Sequence, residues 1–265
     1  QMEKRYLSLG GSVHYNTEIK RIEVIKERAT GVVTSDGTRF RAGTIISAVD
    51  GYQTLFGMMN GRHIDHFLKE RYKKLDGHIS KSALYVSLGI NRPMQDLPHR
   101  LVFPVQQPFD VDPETRCEFL DMMHYSHDPI SAPKGKTLVT LLMPLDSWKY
   151  WWELSTSDHD GYKAAKQLAA LNVVEALDNH LGDIKGNVDM IDVATPVTYY
   201  RFSRNWKGAI YGWNETPRIT GYPARFAIKN LDNFYMTGQW VSAGGLNNVV
   251  MNGYHLAQII CHHKG

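Results

Sequence analysis

Asn233-Phe-Tyr-Met-Thr-Gly238-Gln-Trp-Val-Ser-Ala-Gly244-Gly245-Leu-Asn-Asn-Val-Val-Met-Asn-Gly253-Tyr-His-Leu-Ala-Gln-Ile-Ile260 is the stretch around which the chain is organised. Phe234 to Thr237 is short, apolar and β-prone, and Gly238 ends it. Gly244 and Gly245 follow, and an apolar repeat at helical spacing then runs to Ile260. Strand, glycine turn and helix in that order leave free backbone N–H groups at a helix N-terminus, a seat for an anion or a polarised carbonyl. Glycine suits such a turn because it has no Cβ to hold a ligand off the main chain. By spacing alone, the same pattern is also an ordinary α/β crossover.

Working outward, the 265 residues suffice for a substantial core in one large domain or two intertwined ones. With 43% hydrophobic and 22% charged residues and no low-complexity tract, the composition is that of a soluble globular protein. Thirty basic against 27 acidic residues give a net charge of +3, which calls for no nucleic acid and no acidic partner. Cys117 and Cys261 are far apart and lack metal-ligand spacing, so both are expected as reduced thiols filling small core sites. No signal peptide is visible, and no apolar run approaches the ~20 residues of a membrane span. The expected location is the cytoplasm, with association at a membrane surface allowed.

The first ten residues read as the last turns of a helix closed by Gly10-Gly11. A helix without an upstream cap suggests a chain that opens in mid-domain. Ser12 to Phe40 is expected to form a three-stranded antiparallel meander. Val13 and Tyr15 lie in its first strand, Ile19 to Ile25 in its second and Thr30 to Thr34 in its third, with Asp36-Gly37 as a turn. Thr44 to Val49 is a continuous apolar run of the kind that fills a parallel strand buried on both faces. Tyr52 to Leu75 has helical periodicity, and Ser82 to Ile90 alternates as a strand. Leu101 to Val105, Glu118 to Tyr125 and Thr137 to Met143 are further strands, separated by Pro, Asp and Gly turns.

Asp158 to Leu181 is the clearest helix, with Asp158 or Asp160 as cap and Ala165, Leu168, Ala169, Val173, Ala176 and Leu177 on its apolar face. Val188 to Val193 is a strand ending at Thr195-Pro196. The aromatic stretch Tyr199 to Trp213 then returns the chain to the Gly238 strand. These patterns predict an α+β fold, a largely antiparallel sheet backed by helices and bracketed by parts of an α/β layer. Residues 1–50 and 214–265 belong to one domain and 51–213 to another, with the chain ends close together.

The Gly238 to Gly253 turn resembles the C-terminal signature of the phytoene desaturase and carotenoid isomerase branch of the FAD-dependent oxidoreductases, relatives of the amine oxidases. Gly238-Gln239-Trp240, Gly244-Gly245-Leu246 and Asn252-Gly253 match. Ala243 stands where another glycine is common, and Asn247 and Asn248 where prolines are common. Gly10-Gly11, Asp36-Gly37 and Ser47-Ala48-Val49-Asp50 resemble the family's meander and the strand after it. Asp128-Pro-Ile-Ser-Ala-Pro-Lys-Gly-Lys136 resembles the segment that enters the substrate domain.

The resemblance implies FAD as the cofactor of the intact parent. Ile19 would border the adenine and Ala48 the adenosine. Gly238, Gln239, Gly244, Gly245, Leu246 and Asn247 would lie on the flavin-ring side. No G-x-G-x-x-G fingerprint occurs in the chain, although the family's pyrophosphate cradle depends on one. The resemblance therefore makes an N-terminal Rossmann portion of the same protein a missing partner. It implies an isolated chain that is colourless and inactive.

The family's substrates are apolar isoprenoid or lipid-like molecules. Trp148-Lys-Tyr-Trp151-Trp152 is either core or an aromatic wall for such a ligand, or an edge that touches a membrane. Tyr199, Tyr200, Phe202, Trp206, Tyr211 and Trp213 are candidates for the same pocket, with Arg201 and Arg204 as polar anchors or surface ion pairs. His63 and His66, and His124 and His127, have ligand-like spacing but no metal signature, so no metal is expected. His262 and His263 look like frayed tail. No nucleophile elbow and no P-loop is present, and no catalytic acid or base stands out. Two alternatives remain: a non-catalytic module that holds an apolar ligand, and an amine oxidase proper.

Overall fold

Lys26 and Glu27 are the only residues between β1 (Ile19–Ile25) and β2 (Arg28–Thr34), and both have positive φ, 49° and 59°. Two left-handed residues match the right-handed twist of the flanking strands, so the hairpin closes tightly. β3 (Arg39–Arg41) pairs antiparallel with β2 across Asp36-Gly37. Gly37 has φ +89°, and Asp36 Oδ1 accepts the Thr38 N–H at 2.9 Å. The meander thus begins at Ile19, later than expected. Val13 and Tyr15 are exposed and outside any strand, because alternation over so few residues carries too little burial to hold a strand.

The structure, a computed structural model, describes residues 1–74, 81–214, 225–242 and 244–264. Gln1–Gly77 with Glu215–Gly265 make one compact unit and His78–Asn214 another. Both chain ends therefore belong to the same unit.

In the first unit, α1 (Met2–Ser8) precedes the meander, and Arg41 leads through Gly43 to β4 (Ile45–Ser47). β4 pairs in parallel with β10 (Phe234–Met236), as the apolar run predicted, with Ile45 beside Phe234. Only one face is buried, however: Ile46 and Val49 are 50% and 47% exposed. Residues 51–77, expected with the middle segment, belong here instead. The Asp65–Arg225 ion pair at 2.9 Å ties them to the C-terminal part, and Gly51 lies against Tyr72 and Trp240.

The helical periodicity after Tyr52 does not give one helix. Gln53–Met58 is a π-helical turn, closed where the Met59 N–H reaches Thr54 O at 3.2 Å. Asn60 and Gly61 then take left-handed backbone before α2 (His66–Lys74). Leu75, the expected end of that helix, lies outside the described residues.

The second unit is one five-stranded antiparallel sheet, ordered β6-β7-β8-β5-β9. Its strands are β5 (Ser82–Ile90), β6 (Arg100–Asp112), β7 (Thr115–His124), β8 (Thr137–Leu145) and β9 (Val188–Ala194). Aliphatic residues at every second position of β5 bury one face completely: Leu84, Val86, Leu88 and Ile90 are all 0% exposed. β6 runs well beyond Val105 despite Pro104 and Pro108. It is an edge strand, where a missing N–H breaks no ladder.

Three helices complete this unit. α3 (Trp148–Ser157) leads through Asp158 to α4 (His159–Leu181), and α5 (Pro196–Ser203) follows β9. Asp158 is the cap, its Oδ1 accepting the Gly161 N–H at 2.9 Å. Ala169, Val173 and Leu177, with Ala170 and Val174 beside them, are buried in the sheet core. Leu168, expected on that face, is 60% exposed. At 3.6 residues per turn it sits about 100° round from Ala169, outside the buried arc.

Both thiols were expected in the core, but Cys261 is exposed and only Cys117 is buried. Burial pushes the Cys117 thiol up to about 11, partly offset by a hydrogen bond from the Phe119 backbone. It stays protonated at neutral pH and is a poor nucleophile. Titration of the folded chain with a disulfide reagent is therefore expected to modify one thiol rapidly, and the second only after denaturation. Two fast equivalents would contradict this burial.

Candidate functional site

β10 ends in the glycine turn because Gly238 takes φ +89°, a conformation that L side chains rarely adopt. Space is tight there as well, since a Cβ on Gly238 would lie 3.3 Å from the Ala48 carbonyl oxygen. The Thr237 N–H donates to Ser47 O at 2.9 Å, so the ends of β4 and β10 are joined where both strands stop. Trp240 and Val241 anchor the turn, 4% and 2% exposed. Gly245 follows with φ +103° and nothing within 4 Å of an added Cβ. The final helix, α6 (Leu246–Lys264), starts there. It continues through His262 and His263, which are helical rather than frayed.

Val249 makes the first helical bond, its N–H reaching Gly245 O at 3.0 Å. The N–H groups of Leu246, Asn247 and Asn248 have no acceptor among the described residues. Asn248 instead donates its side-chain amide to Gly244 O at 2.9 Å. Leu246 is 80% exposed, and Ala48 is exposed too.

Asn252 is the residue that the sequence reading undervalued. Buried on α6, its Nδ2 donates to Gly238 O at 2.9 Å and to Ser242 Oγ at 2.8 Å. One amide thus holds both sides of the turn against the helix. Asparagine at that position within an otherwise apolar face was the available signal. Asn252→Ala strands the buried Gly238 carbonyl and is expected to cost about 1–3 kcal/mol, read as a lowered thermal midpoint; an unchanged midpoint would show that the turn holds itself.

The sequence candidates fall into two groups. Ala48, Gly238 and Gln239 meet at the strand ends, and Gly244, Gly245, Leu246 and Asn247 form the helix entrance. Ile19 is the half-buried first residue of β1, opposite Thr34 in the separate meander sheet. No hydrogen bond among the described residues joins it to the turn. Ala243 lies outside the described residues.

Asp50, matched only as part of a motif, has a clear local role. It is 1% exposed, and its Oδ1 accepts the Gln53 N–H at 2.7 Å while its carbonyl accepts from Thr54. Burial, and next the Asp50 charge, raise the Tyr72 phenol far above its ordinary range, so Tyr72 stays neutral at any physiological pH.

In the second unit the aromatic residues divide between core and surface. Trp151 and Trp213 are core, 0% and 1% exposed. Trp148, Trp152 and Tyr200 form a cluster with ring centres 4.9, 5.7 and 5.2 Å apart, while Phe202 and Tyr211 are 79% and 52% exposed. The aromatic stretch from Tyr199 begins inside α5, because Pro196 at the first helical position and the Thr195–Thr198 capping box start a helix there. Arg201 stacks on Phe202 at 4.7 Å and Arg204 on Tyr200 at 5.5 Å. Burial, with Tyr85 nearby, lifts Tyr199 to about 12. Among the described residues no group of His, Cys, Asp and Glu has metal-binding geometry. His124 is instead packed in the fold, its Nε2 facing the carbonyls of Leu97 and Pro98.

No protein-family profile matches the chain. It is similar, at 26% identity over 98% of its length, to a phytoene desaturase (neurosporene-forming) of Rhodobacter capsulatus. It is 23% identical over 96% of its length to the chloroplastic prolycopene isomerase of Arabidopsis thaliana. The alignments cover 51% and 42% of those proteins, so the chain spans about half the length of the curated relatives it matches. A redesigned putrescine oxidase shares the fold, with a TM-score of 0.63 at 14% identity over 98% of this chain and 52% of that one.

Proposed function

We infer that this chain, a relative of the carotenoid desaturases and isomerases with the fold of the FAD-dependent oxidoreductases, forms the flavin-ring and substrate side of such an enzyme. Its substrate is an apolar, isoprenoid or lipid-like molecule. The first unit carries the cofactor contacts and the second the substrate contacts. The observation that carries the reading is the Gly238 turn. Two parallel strands end together, a glycine-only backbone leads away, and a helix opens with N–H groups that have no acceptor among the described residues.

The residues present fit one end of FAD. Nothing among the described residues lies within 4 Å of a Cβ added at Gly245, and the buried Thr237 hydroxyl has no partner among them. They do not fit the pyrophosphate, whose glycine fingerprint the 265 residues lack; that cradle is assigned to a polypeptide segment outside them. Bound FAD supplies a two-electron acceptor, and the protein's share is placement and electrostatics. The Leu246 and Asn247 N–H groups, at the positive end of α6, favour negative charge at that spot. Gly238 and Gly245 let the main chain approach closely. Asn252 fixes the turn to the helix, so the donors are set before a ligand arrives. Trp148, Trp152 and Tyr200 offer an apolar wall in the second unit.

The test is to purify the complete gene product that contains this chain. A yellow protein with about one flavin per chain that oxidises or isomerises a linear polyene is expected. A product that carries the glycine fingerprint yet takes up no added FAD would sink the assignment. A product without the fingerprint that retains an apolar probe would favour the ligand-binding module. The 265-residue chain alone is expected to purify colourless.

A further inference from the structure

A cleft of about 820 Å³ lies in the first unit, within the range of small-molecule sites. Gly43, just before β4, and Asn233, just before β10, line it, so it sits at the N-terminal ends of the two parallel strands. The Gly238 turn and Ala48 lie at the opposite ends. At ~3.3 Å per residue, the five steps from Gly43 to Ala48 separate the two places by about 16 Å.

Arginines converge on this cleft from three directions. Arg21 and Arg28 come from the first hairpin, Arg39 and Arg41 from β3, and Arg62, followed by His63, from the loop before α2. Among the described residues, Glu23 is the only carboxylate in the lining. It is already shared by Arg21 at 3.3 Å and Arg39 at 3.7 Å. Arg28, Arg41 and Arg62 have no carboxylate within salt-bridge distance among the described residues. Beneath them, Ile22 and Met59 form an apolar floor, 6% and 5% exposed. Like charges gathered around one cleft repel one another, so the arrangement favours an anion that neutralises them. The planar guanidinium fork matches phosphate oxygens two at a time, which ammonium groups do not.

The backbone at the rim is constrained as well. Asn60, Gly61 and His63 all have left-handed φ, 51°, 68° and 60°. For the two non-glycine residues this is unfavourable, and such backbone tends to gather at ligand clamps.

We propose that this cleft binds a phosphate-bearing ligand, at a place separate from the Gly238 turn and independent of the flavin reading. The phosphate belongs either to a soluble diphosphate or phosphate ester, or to the headgroup of an anionic phospholipid.

Two binding measurements on the purified chain distinguish these sources. In one, inorganic pyrophosphate is titrated calorimetrically. In the other, the protein is sedimented with phosphatidylglycerol vesicles or with phosphatidylcholine vesicles. Saturable pyrophosphate binding with Kd below about 1 mM, weakened by salt, identifies the soluble source. Binding to phosphatidylglycerol alone identifies the headgroup, and both together identify the phosphate group itself.

Arg41→Glu with Arg62→Glu is expected to weaken binding at least tenfold. Both side chains are exposed, so the circular dichroism spectrum should be unchanged; Arg28→Gln gives a second variant should the pair misfold. No binding in either arm, or binding indifferent to these substitutions, overturns the proposal. Within a flavin-retaining parent, the same pair should leave the flavin content at the wild-type level. Loss of flavin with an intact fold would overturn the separation of the two sites.

Discussion

Gly245→Val is expected to give a folded protein that no longer retains flavin when placed in a complete gene product carrying the glycine fingerprint. Gly245 has φ +103°, and a β-branched residue held there pays about 1–3 kcal/mol in backbone strain. Among the described residues there is room, because none lies within 4 Å of an added Cβ. The packed parts of the first unit therefore survive, and what suffers is whatever fills the space in front of the helix. Strain alone moves the N–H groups of Leu246 and Asn247, and on the proposed reading the valine methyls enter the place of the flavin ring. The flavin-to-protein absorbance ratio is expected to fall to a tenth of wild type or less, with circular dichroism unchanged. Gly245→Ala, with the same strain and less bulk, should fall between. A Gly245→Val protein that remains fully yellow would remove this turn from the cofactor site.

Trp151→Ala is expected to have the largest effect on stability, about 3–5 kcal/mol, the usual cost of emptying a large aromatic site. Trp151 is wholly buried on α3, edge-on to Tyr150 and Tyr162 with ring centres at 5.3 and 6.1 Å. Its Nε1 donates to Asp112 Oδ2 at 3.1 Å, and Ser147 Oγ donates to the same oxygen. Asp112 is itself buried, so truncation leaves both a cavity and a carboxylate with one donor fewer. Trp151→Phe separates the two terms, because it fills most of the volume without the N–H. Urea unfolding should show a lower midpoint for both variants, with the alanine clearly lower. A shift below about 1 kcal/mol for the alanine variant would mean that the site collapses or is wet.

Local signals in the sequence were strongest where one periodicity ran long enough to be unambiguous. Ser82 to Ile90 and Asp158 to Leu181 came through almost to the residue, since alternation and a capped apolar stripe each have one physical reading. Asp36-Gly37 and Gly238 were legible because only a few residues tolerate their backbone. Failures occurred where burial from elsewhere overrode local pattern. Val13 and Tyr15 alternate but find no neighbour strand. Tyr52 to Leu75 is periodic but is broken by a π-turn and three left-handed residues. The helix at Pro196 was announced by Thr195, Pro196 and Thr198, yet a run of aromatics made that start easy to miss.

What the sequence determined by itself, then, was most of the element types, the α+β class, the glycine turn and the family resemblance, because each depends on residues near one another in the chain. Only the tertiary structure decided that Ala48 and Gly238 meet, that Asn252 ties the turn to its helix, and that Trp151 is core while Trp152 reaches the surface. It alone gathered arginines from residues 21 to 62 around one cleft. Such pairings are set by which apolar faces bury one another and by which strand ends adjoin, a balance of burial against chain entropy over the whole fold. No short window of residues contains that balance.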